Sequence, residues 1–266
     1  MLDIGSGVHL ADPQILLWLV LIYLFAALLS GLSGFGFSGI GALTLIYLPP
    51  EFAISLLMML SVVTQAGSLS RLWREMKGYS QPWNRPDGVI PYFVGGAIGM
   101  PVGIHIMLAA GASGLIFAFA MLLVSYSIYG LLIQAKPIFR NATGWRSAIL
   151  VGACGGVIGG FTAFPGSALV IWNSLNGVSK EHARALIQPF ILFMQLVGLA
   201  LIAGTHPQLF DPSFWKLFVT ITPVVLVGSI AGVAIYKRTS QINYRRITMG
   251  ALGLSGAGLL LKLGLV

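Results

Sequence analysis

Two glycine-rich interruptions within otherwise apolar sequence constrain this chain most. The first, at 31–41, reads GLSGFGFSGIG, and the second, at 152–166, reads GACGGVIGGFTAFPG. The core of a bilayer offers no water to loosened backbone groups, so irregular backbone at that depth must be buried in protein or line a wet cavity. Two such breaks in corresponding halves of one chain indicate a substrate path.

The composition indicates that these breaks lie within a membrane. Hydrophobic residues make up 57% of the chain and charged residues only 8%, with a mean hydropathy of +0.91. The stretch 114–134 carries no charged side chain, and at about 1.5 Å rise per residue it covers roughly the 30 Å hydrocarbon thickness. We therefore predict an all-α polytopic membrane protein.

The net charge of +8 does not indicate nucleic acid, because the basic residues lie in short gaps between apolar runs. Three such gaps, 71–87, 136–146 and 237–246, are rich in Lys and Arg, which are retained on the cytoplasmic side. The N-terminal stretch has Asp3 and Asp12 but no positive n-region of a signal peptide. We expect the first apolar stretch to be retained, and both termini to lie outside.

The order of apolar segments decides how the breaks are threaded. The predicted segments are a broken stretch at 15–48, then 51–72, 88–108 and 114–134, a second broken stretch at 147–172, and then 182–204, 213–236 and 246–263. If the second broken stretch crossed the bilayer once, the basic gap at 237–246 would fall outside. A re-entrant hairpin avoids this, with limbs of about 14 and 10 residues that are each too short for a span of roughly 20 residues.

The two halves align with each other. The tripeptide EFA at 51–53 matches EHA at 181–183, and the same spacing then places Gln65 on Gln195. Each half is a broken, re-entrant helical hairpin followed by three transmembrane helices. Three is odd, so the second half enters from the opposite face, as in the inverted-topology repeats of many secondary transporters.

The predicted fold is thus one integral membrane domain of two inverted repeats, with the first membrane repeat at 1–135 and the second at 136–266. Glycines at Gly99, Gly103, Gly228 and Gly232 have small-x-x-x-small spacing, and we interpret them as helix-packing contacts. We expect bulky replacements at Gly36 or Gly160 to be worse than at Gly99, because a hairpin tip needs backbone access.

The breaks predict an anion site. Helix N-termini carry unpaired N–H groups and a partial charge of about +0.5, and two facing tips supply this twice. Hydroxyl and amide donors lie beside them. The candidate substrate-binding residues are Ser33, Gly34, Gly36, Ser38, Gln65, Gly159, Gly160, Thr162, Ser167 and Gln195. For the two glutamines, an interhelical hydrogen bond is an equally good interpretation.

Other chemistries find little support in the sequence. The central parts of the predicted spans contain no Asp or Glu, which disfavours a proton relay. The four histidines are scattered, so we predict no metal site, and without a phosphate-binding loop we predict neither ATP nor another cofactor. The segment GFSG around Ser38 resembles the nucleophile segment of rhomboid intramembrane proteases, which would also need a histidine base.

Two glycine-rich segments of the form G-x-x-G, each followed by an apolar helix, over almost the whole of 15–263, resemble the TauE/SafE sulfite-exporter family. The resemblance implies a non-enzymatic permease for small sulfur-containing anions, such as sulfite or sulfonates, in a bacterial inner membrane. The expected partners are that anion and the lipid bilayer, with a second copy of the chain as an open alternative. A passive anion channel, a protease using Ser38 and a scaffold subunit are the alternatives.

Overall fold

The computed structural model describes residues 13–66, 88–132, 144–236 and 241–264, and every regular element in these ranges is helical. The ten α-helices of the described ranges are α1 (Pro13–Ser33), α2 (Phe37–Gly41), α3 (Pro50–Ala66), α4 (Ile90–Ala109), α5 (Ala112–Leu132), α6 (Trp145–Thr162), α7 (Gly166–Leu175), α8 (Lys180–Thr205), α9 (Pro212–Tyr236) and α10 (Gln241–Lys262). Two 3₁₀ turns, Ala42–Ile46 and Pro207–Leu209, follow α2 and α8. The prediction of an all-helical chain is confirmed.

The chain breaks where the first glycine cluster predicts, between α1 and α2. The aromatic rings of Tyr23, in the middle of α1, and Phe37, the first residue of α2, stack with their centroids 6.2 Å apart. A chain that continued in a straight line past Ser33 would carry Phe37 away from Tyr23. The second limb, α2 with its 3₁₀ turn, therefore folds back along α1 as a helical hairpin.

The second glycine cluster also breaks the helix, between α6 and α7. Pro165, just past the break, lies against α6, because a Cβ added at Gly155 would be 2.9 Å from its carbonyl oxygen and one at Gly159 would be 2.7 Å from its Cβ. The first limb has 18 residues and the second has 10. The first limb is longer than the predicted 14 residues, because the glycines at 152–160 continue the helix and the chain turns only at 163–165.

Rows of glycine residues allow the helices to pack closely against one another. Cβ atoms added at Gly99 and Gly103 of α4 would collide with the carbonyl oxygens of Ala153 and Val157 on α6. On the other side of the molecule, Gly232 of α9 lies equally close to the backbone of α1. The interpretation of Gly99, Gly103, Gly228 and Gly232 as packing residues is confirmed, since only a residue without a side chain lets two helix backbones approach this closely.

The remaining helices pair across the two halves of the chain. The extensive contacts are α1 with α9, α4 with α6, α5 with α10 and α3 with α8; α8 also contacts α4, and α3 contacts α9. Helix α10 holds the first hairpin by polar bonds. Ser255 Oγ donates to the carbonyl of Gly39 at 2.6 Å, and Lys262 Nζ donates to the carbonyls of Leu45 and Ile46 at 2.6 and 2.8 Å.

Five helices in the described ranges are long and apolar enough to cross a membrane: Pro13–Ser33, Ile90–Ala109, Ala112–Leu132, His182–Thr205 and Pro212–Ile235. Four were predicted as crossings. The fifth, α1, was predicted as a hairpin limb, and its 21 residues are long enough to span. Two predicted crossings are not among the five, since α3 has 17 described residues and α10 begins at Gln241 with Arg245 and Arg246 in its first turns.

Large apolar side chains cover the outer surface of the bundle. Ile98, Leu132, Ile230 and Leu254 are each between 64% and 77% exposed, on four different helices. A surface of this kind is typical of helices that face lipid. The basic gaps at 71–87 and 237–240, most of 136–146, and the N-terminal Asp3 and Asp12 lie outside the described residues, so the predicted orientation stays a prediction.

Candidate functional site

The tips of the two hairpins meet inside the bundle. Phe35 of the first break and Phe164 of the second stack with their ring centroids 6.3 Å apart and an interplanar angle of 21°. Tyr126 of α5 lies edge-on to both rings, at 6.5 and 6.1 Å. All three rings are buried. The two irregular segments, far apart in sequence, therefore lie against each other, and the binding of a substrate between them stays a prediction.

The two breaks have the same local design. The last residue of each first limb carries a hydroxyl, Ser33 in α1 and Thr162 in α6. Ser33 Oγ donates to the carbonyl of Leu29 at 2.7 Å and accepts the N–H groups of Phe35 and Gly36 at 3.2 and 2.9 Å. Thr162 Oγ1 donates to Ile158 at 2.6 Å and accepts the N–H of Phe164 at 3.1 Å. Both hydroxyls thus satisfy backbone groups released by the break.

The next residue in each break adopts a left-handed backbone conformation. Gly34 has φ of +81°, and Ala163 has φ of +54°. The carbonyl of each accepts a side-chain amide from the following long helix of its own half: Gln65 Nε2 donates to Gly34 at 3.3 Å, and Gln195 Nε2 donates to Ala163 at 2.9 Å. The predicted equivalence of the two glutamines therefore has a structural counterpart.

The glutamines are fully inside the protein. Gln65 is 2% exposed and Gln195 is 0% exposed. In this conformation their amides make the interhelical hydrogen bonds that the sequence analysis kept as an alternative, and their binding of an anion stays a prediction. The Oε1 atom of Gln195 is buried and has no hydrogen-bond partner among the described residues. An orphaned buried acceptor marks a place where water or a ligand donor belongs.

The two predicted serines of the second limbs also lie at the tips. Ser38 Oγ donates to the carbonyl of Ala163, so it joins the first hairpin directly to the second. Ser167 Oγ donates to the carbonyl of Phe164 at 3.0 Å within its own hairpin. The Ser38 hydroxyl thus donates its hydrogen to a backbone carbonyl, whereas the protease alternative requires that hydrogen to be donated to a histidine base.

The three remaining predicted glycines have packing roles. A Cβ added at Gly160 would lie 2.7 Å from the Cα of Gly103, and one at Gly159 would meet Pro165. At Gly36, the added atom would meet the side chain of Leu29 at 2.8 Å. These residues let the hairpins form and seat against α4; Gly36 also takes part in the first break through its N–H.

The sequence analysis missed a polar pair beside the first tip. A Cβ added at Gly34 would lie 2.9 Å from the side-chain amide of Gln188 and 3.5 Å from Nε of Arg184. With its amide oxygen turned toward Arg184, Gln188 accepts from Nε and a terminal guanidinium nitrogen at 3.2 and 3.3 Å. In the sequence Arg184 resembles the Lys and Arg residues that mark the inner face, because its contact with Gly34 joins positions 150 residues apart.

The aromatic contacts and Ala163 were also missed. Aligning the breaks on their last helical residue, Ser33 with Thr162, pairs Gly34 with Ala163 and Phe35 with Phe164. The sequence contains this alignment, but glycine density, the signal that defines the breaks, does not single out the residue after the hydroxyl.

Backbone carbonyl and N–H groups supply most of the partial charges at the tips. The carbonyl ends of the first limbs carry partial negative charge, and donors from Gln65, Gln195 and Ser38 cover them. The first turn of α7 contributes N–H groups that helical geometry leaves without an intrahelical acceptor. Together with the guanidinium of Arg184, this makes the meeting point of the tips favourable for an anion.

The left-handed residues give a test of the break geometry. We expect Gly34→Ala to destabilise the protein by about 1–3 kcal/mol, because the added Cβ meets both an unfavourable φ and the Gln188 amide. Ala163→Gly should shift stability by less than about 1 kcal/mol, because relief of the left-handed strain offsets the greater freedom of the unfolded chain. Thermal unfolding in detergent measures both; equal losses in the two variants would contradict the difference.

Buried backbone breaks that meet tip to tip within an apolar helical bundle define an integral membrane protein built around an internal polar site. A family model described as sulfite exporter TauE/SafE matches residues 19–259, nearly the whole chain. The chain belongs to this family of membrane transporters, and the sequence resemblance is confirmed. No curated protein and no solved structure matches the chain.

Proposed function

We propose that this protein is a secondary transporter that moves small sulfur-containing anions, such as sulfite or sulfonates, by alternating access at a site between the two hairpin tips. The observation that carries this proposal is the meeting of the two breaks at Phe35 and Phe164. Irregular backbone inside a membrane bundle is tolerated where it forms a site, and helix ends at that depth can hold an ion. The sulfur chemistry comes from the family.

We further propose that the halves 1–135 and 136–266 are inverted repeats. The packing of the helices supports this, because exchanging the halves maps the extensively packed helix pairs onto one another. The pair α1 with α9 becomes α6 with α4, and α3 with α9 becomes α8 with α4, while α3 with α8 and α5 with α10 map onto themselves. A pseudo-two-fold relation of this kind lets one hairpin and its partner helix rock against the other around a fixed site.

The proposed substrate-binding residues are those of the tips. Backbone and hydroxyl donors come from Ser33, Gly34, Gly36, Ser38, Thr162 and Ser167, and amides from Gln65 and Gln195, while Gly159 and Gly160 let α6 pack closely enough to place them. In the conformation described here the tips are closed on each other, since Ser38 bonds Ala163 and the aromatic rings stack. Substrate entry then requires the tips to separate, which exposes the donors to whichever side has opened.

Flux through proteoliposomes that contain only this protein tests the proposal. Labelled sulfite, methanesulfonate and chloride are compared side by side, with protein-free vesicles as the control. A carrier should give saturable uptake of the sulfur anions and faster exchange when unlabelled anion is inside. Flux without saturation or counterflow would indicate the passive channel, and no flux from folded protein would contradict the transport of these anions.

A further inference from the structure

Resting on the proposed function, we propose that Arg184 of α8, positioned by Gln188 one turn further along the helix, binds the anionic head of the substrate beside Gly34. The positive charge of the site is then located on one side only. The remainder of the substrate lies toward the aromatic rings of Phe35 and Phe164.

The geometry brings this pair to the first break. Arg184 and Gln188 are one helical turn apart on α8, and they lie on the same face. Gln188 is 4% exposed and Arg184 is half-buried. A Cβ added at Gly34 would lie 2.9 Å from the side-chain amide of Gln188 and 3.5 Å from Nε of Arg184. The glycine at this position lets the break and the polar pair of α8 come into direct contact, because any side chain there would displace the Gln188 amide.

The chemistry of the pair suits a sulfur oxyanion. A guanidinium is always charged and presents five N–H donors in a planar fork, which matches two oxygens of a sulfonate or sulfite. Bonds of this kind are about twice as strong as those between neutral groups. The oxygen of Gln188 accepts from Nε and one terminal nitrogen of Arg184 and so holds the guanidinium beside the first break. The pair therefore offers a positive charge in a fixed position.

The opposite side of the site lacks such a pair. Counting from the matched EFA and EHA segments, Arg184 corresponds to Ile54 of α3 and Gln188 to Met58. Ile54 and Met58 are both 0% exposed and belong to the apolar core. The equivalent positions of the two halves are therefore polar on α8 and apolar on α3. A substrate with one charged end and one less polar end is oriented by this difference, with its charge beside α8.

The affinity of the purified, full-length protein for methanesulfonate and for sulfite, measured by calorimetry in detergent, tests the proposal. Dimethyl sulfone, which has nearly the same shape as methanesulfonate but no charge, is the neutral control. We expect Arg184→Gln to weaken anion binding at least tenfold. Gln188→Glu should have a similar effect, because the new carboxylate pairs with Arg184 and repels the anion. Arg246→Gln, at an exposed arginine of α10, should stay within twofold of wild type.

The outcomes separate this inference from the proposed function. If the wild type binds the anions and Arg184→Gln binds them with the same affinity, the role of the pair is overturned and the proposed transport function stands. If Arg184→Gln does not fold, unchanged affinity in Gln188→Glu leads to the same conclusion. Equal affinity of the wild type for dimethyl sulfone overturns charge recognition. If the folded wild type neither binds nor transports either anion, the proposed function fails, and the role of the pair fails with it.

Discussion

Replacing Gly99 with leucine is expected to prevent the protein from folding in the membrane. Helix α4 packs on α6 so closely that a Cβ at this position would overlap the carbonyl oxygen of Ala153 and lie 2.9 Å from its carbonyl carbon. A backbone group cannot rotate aside as the end of a side chain can, so the helices must separate. The free energy of unfolding should fall by an amount on the order of 4–5 kcal/mol or more, which is typical of a disrupted core.

A matched substitution separates this effect from the general cost of a larger residue. Gly250 also lies inside a helix, α10, and an added Cβ there meets no atom within 4 Å. Gly250→Leu should therefore give near wild-type yield and melting temperature. Size-exclusion profiles and thermal unfolding of the detergent-purified variants measure both. A monodisperse Gly99→Leu protein that melts like Gly250→Leu would contradict the close approach of α4 and α6.

The same contacts reverse an expectation from the sequence. Gly36 was expected to tolerate a bulky residue less well than Gly99, because it lies at a hairpin tip. A side chain at Gly36 meets side-chain atoms of Leu29 and Ser33, whereas at Gly99 it meets backbone. Gly160, also assigned to the tip, packs against Gly103 and belongs to the α4–α6 interface. Glycine density in the sequence does not distinguish a residue that turns the chain from one that seats a helix.

Local signals were sufficient for the helices and the breaks. Apolar runs and glycine clusters placed nearly every element, because membrane helices depend on composition and length. The equal spacing of Gln65 and Gln195 from the matched EFA and EHA segments was also readable, and the structure gives each the corresponding partner, the carbonyl of a left-handed residue in its own break. Short-range chemistry thus predicted which residues repeat.

Contacts between the halves could not be predicted in this way. The bond from Ser38 to Ala163, the stacking of Phe35 on Phe164 and the approach of Arg184 to Gly34 each join segments more than a hundred residues apart. They depend on the position of each hairpin relative to the other, which is set by the combined packing of several helices. A side chain at the start of α8 therefore looks like a topology marker in the sequence and lies against the first break in the structure.

Gln195→Ala is expected to reduce transport by at least tenfold, and Gln65→Ala to reduce it less. Each substitution removes the amide donor to the carbonyl of a left-handed residue, in a site with almost no exposure. Loss of such a hydrogen bond costs about 0.5–1.5 kcal/mol, and at Ala163 it weakens the joint between the hairpins, because the same carbonyl also accepts the hydroxyl of Ser38. The stronger effect belongs to Gln195, because its bond to Ala163 is 2.9 Å long, whereas that of Gln65 to Gly34 is 3.3 Å.

The kinetics of flux distinguish a role in the site from a role in stability alone. Gln208→Ala, at an exposed glutamine between α8 and α9, is the control and should match wild type. Both site variants should still insert and purify, since the helices around them are unchanged. If the glutamines shape the site, KM for the transported anion rises in protein that remains folded. A lower melting temperature with unchanged KM would assign them to stability, and unchanged flux in both would remove them from the site.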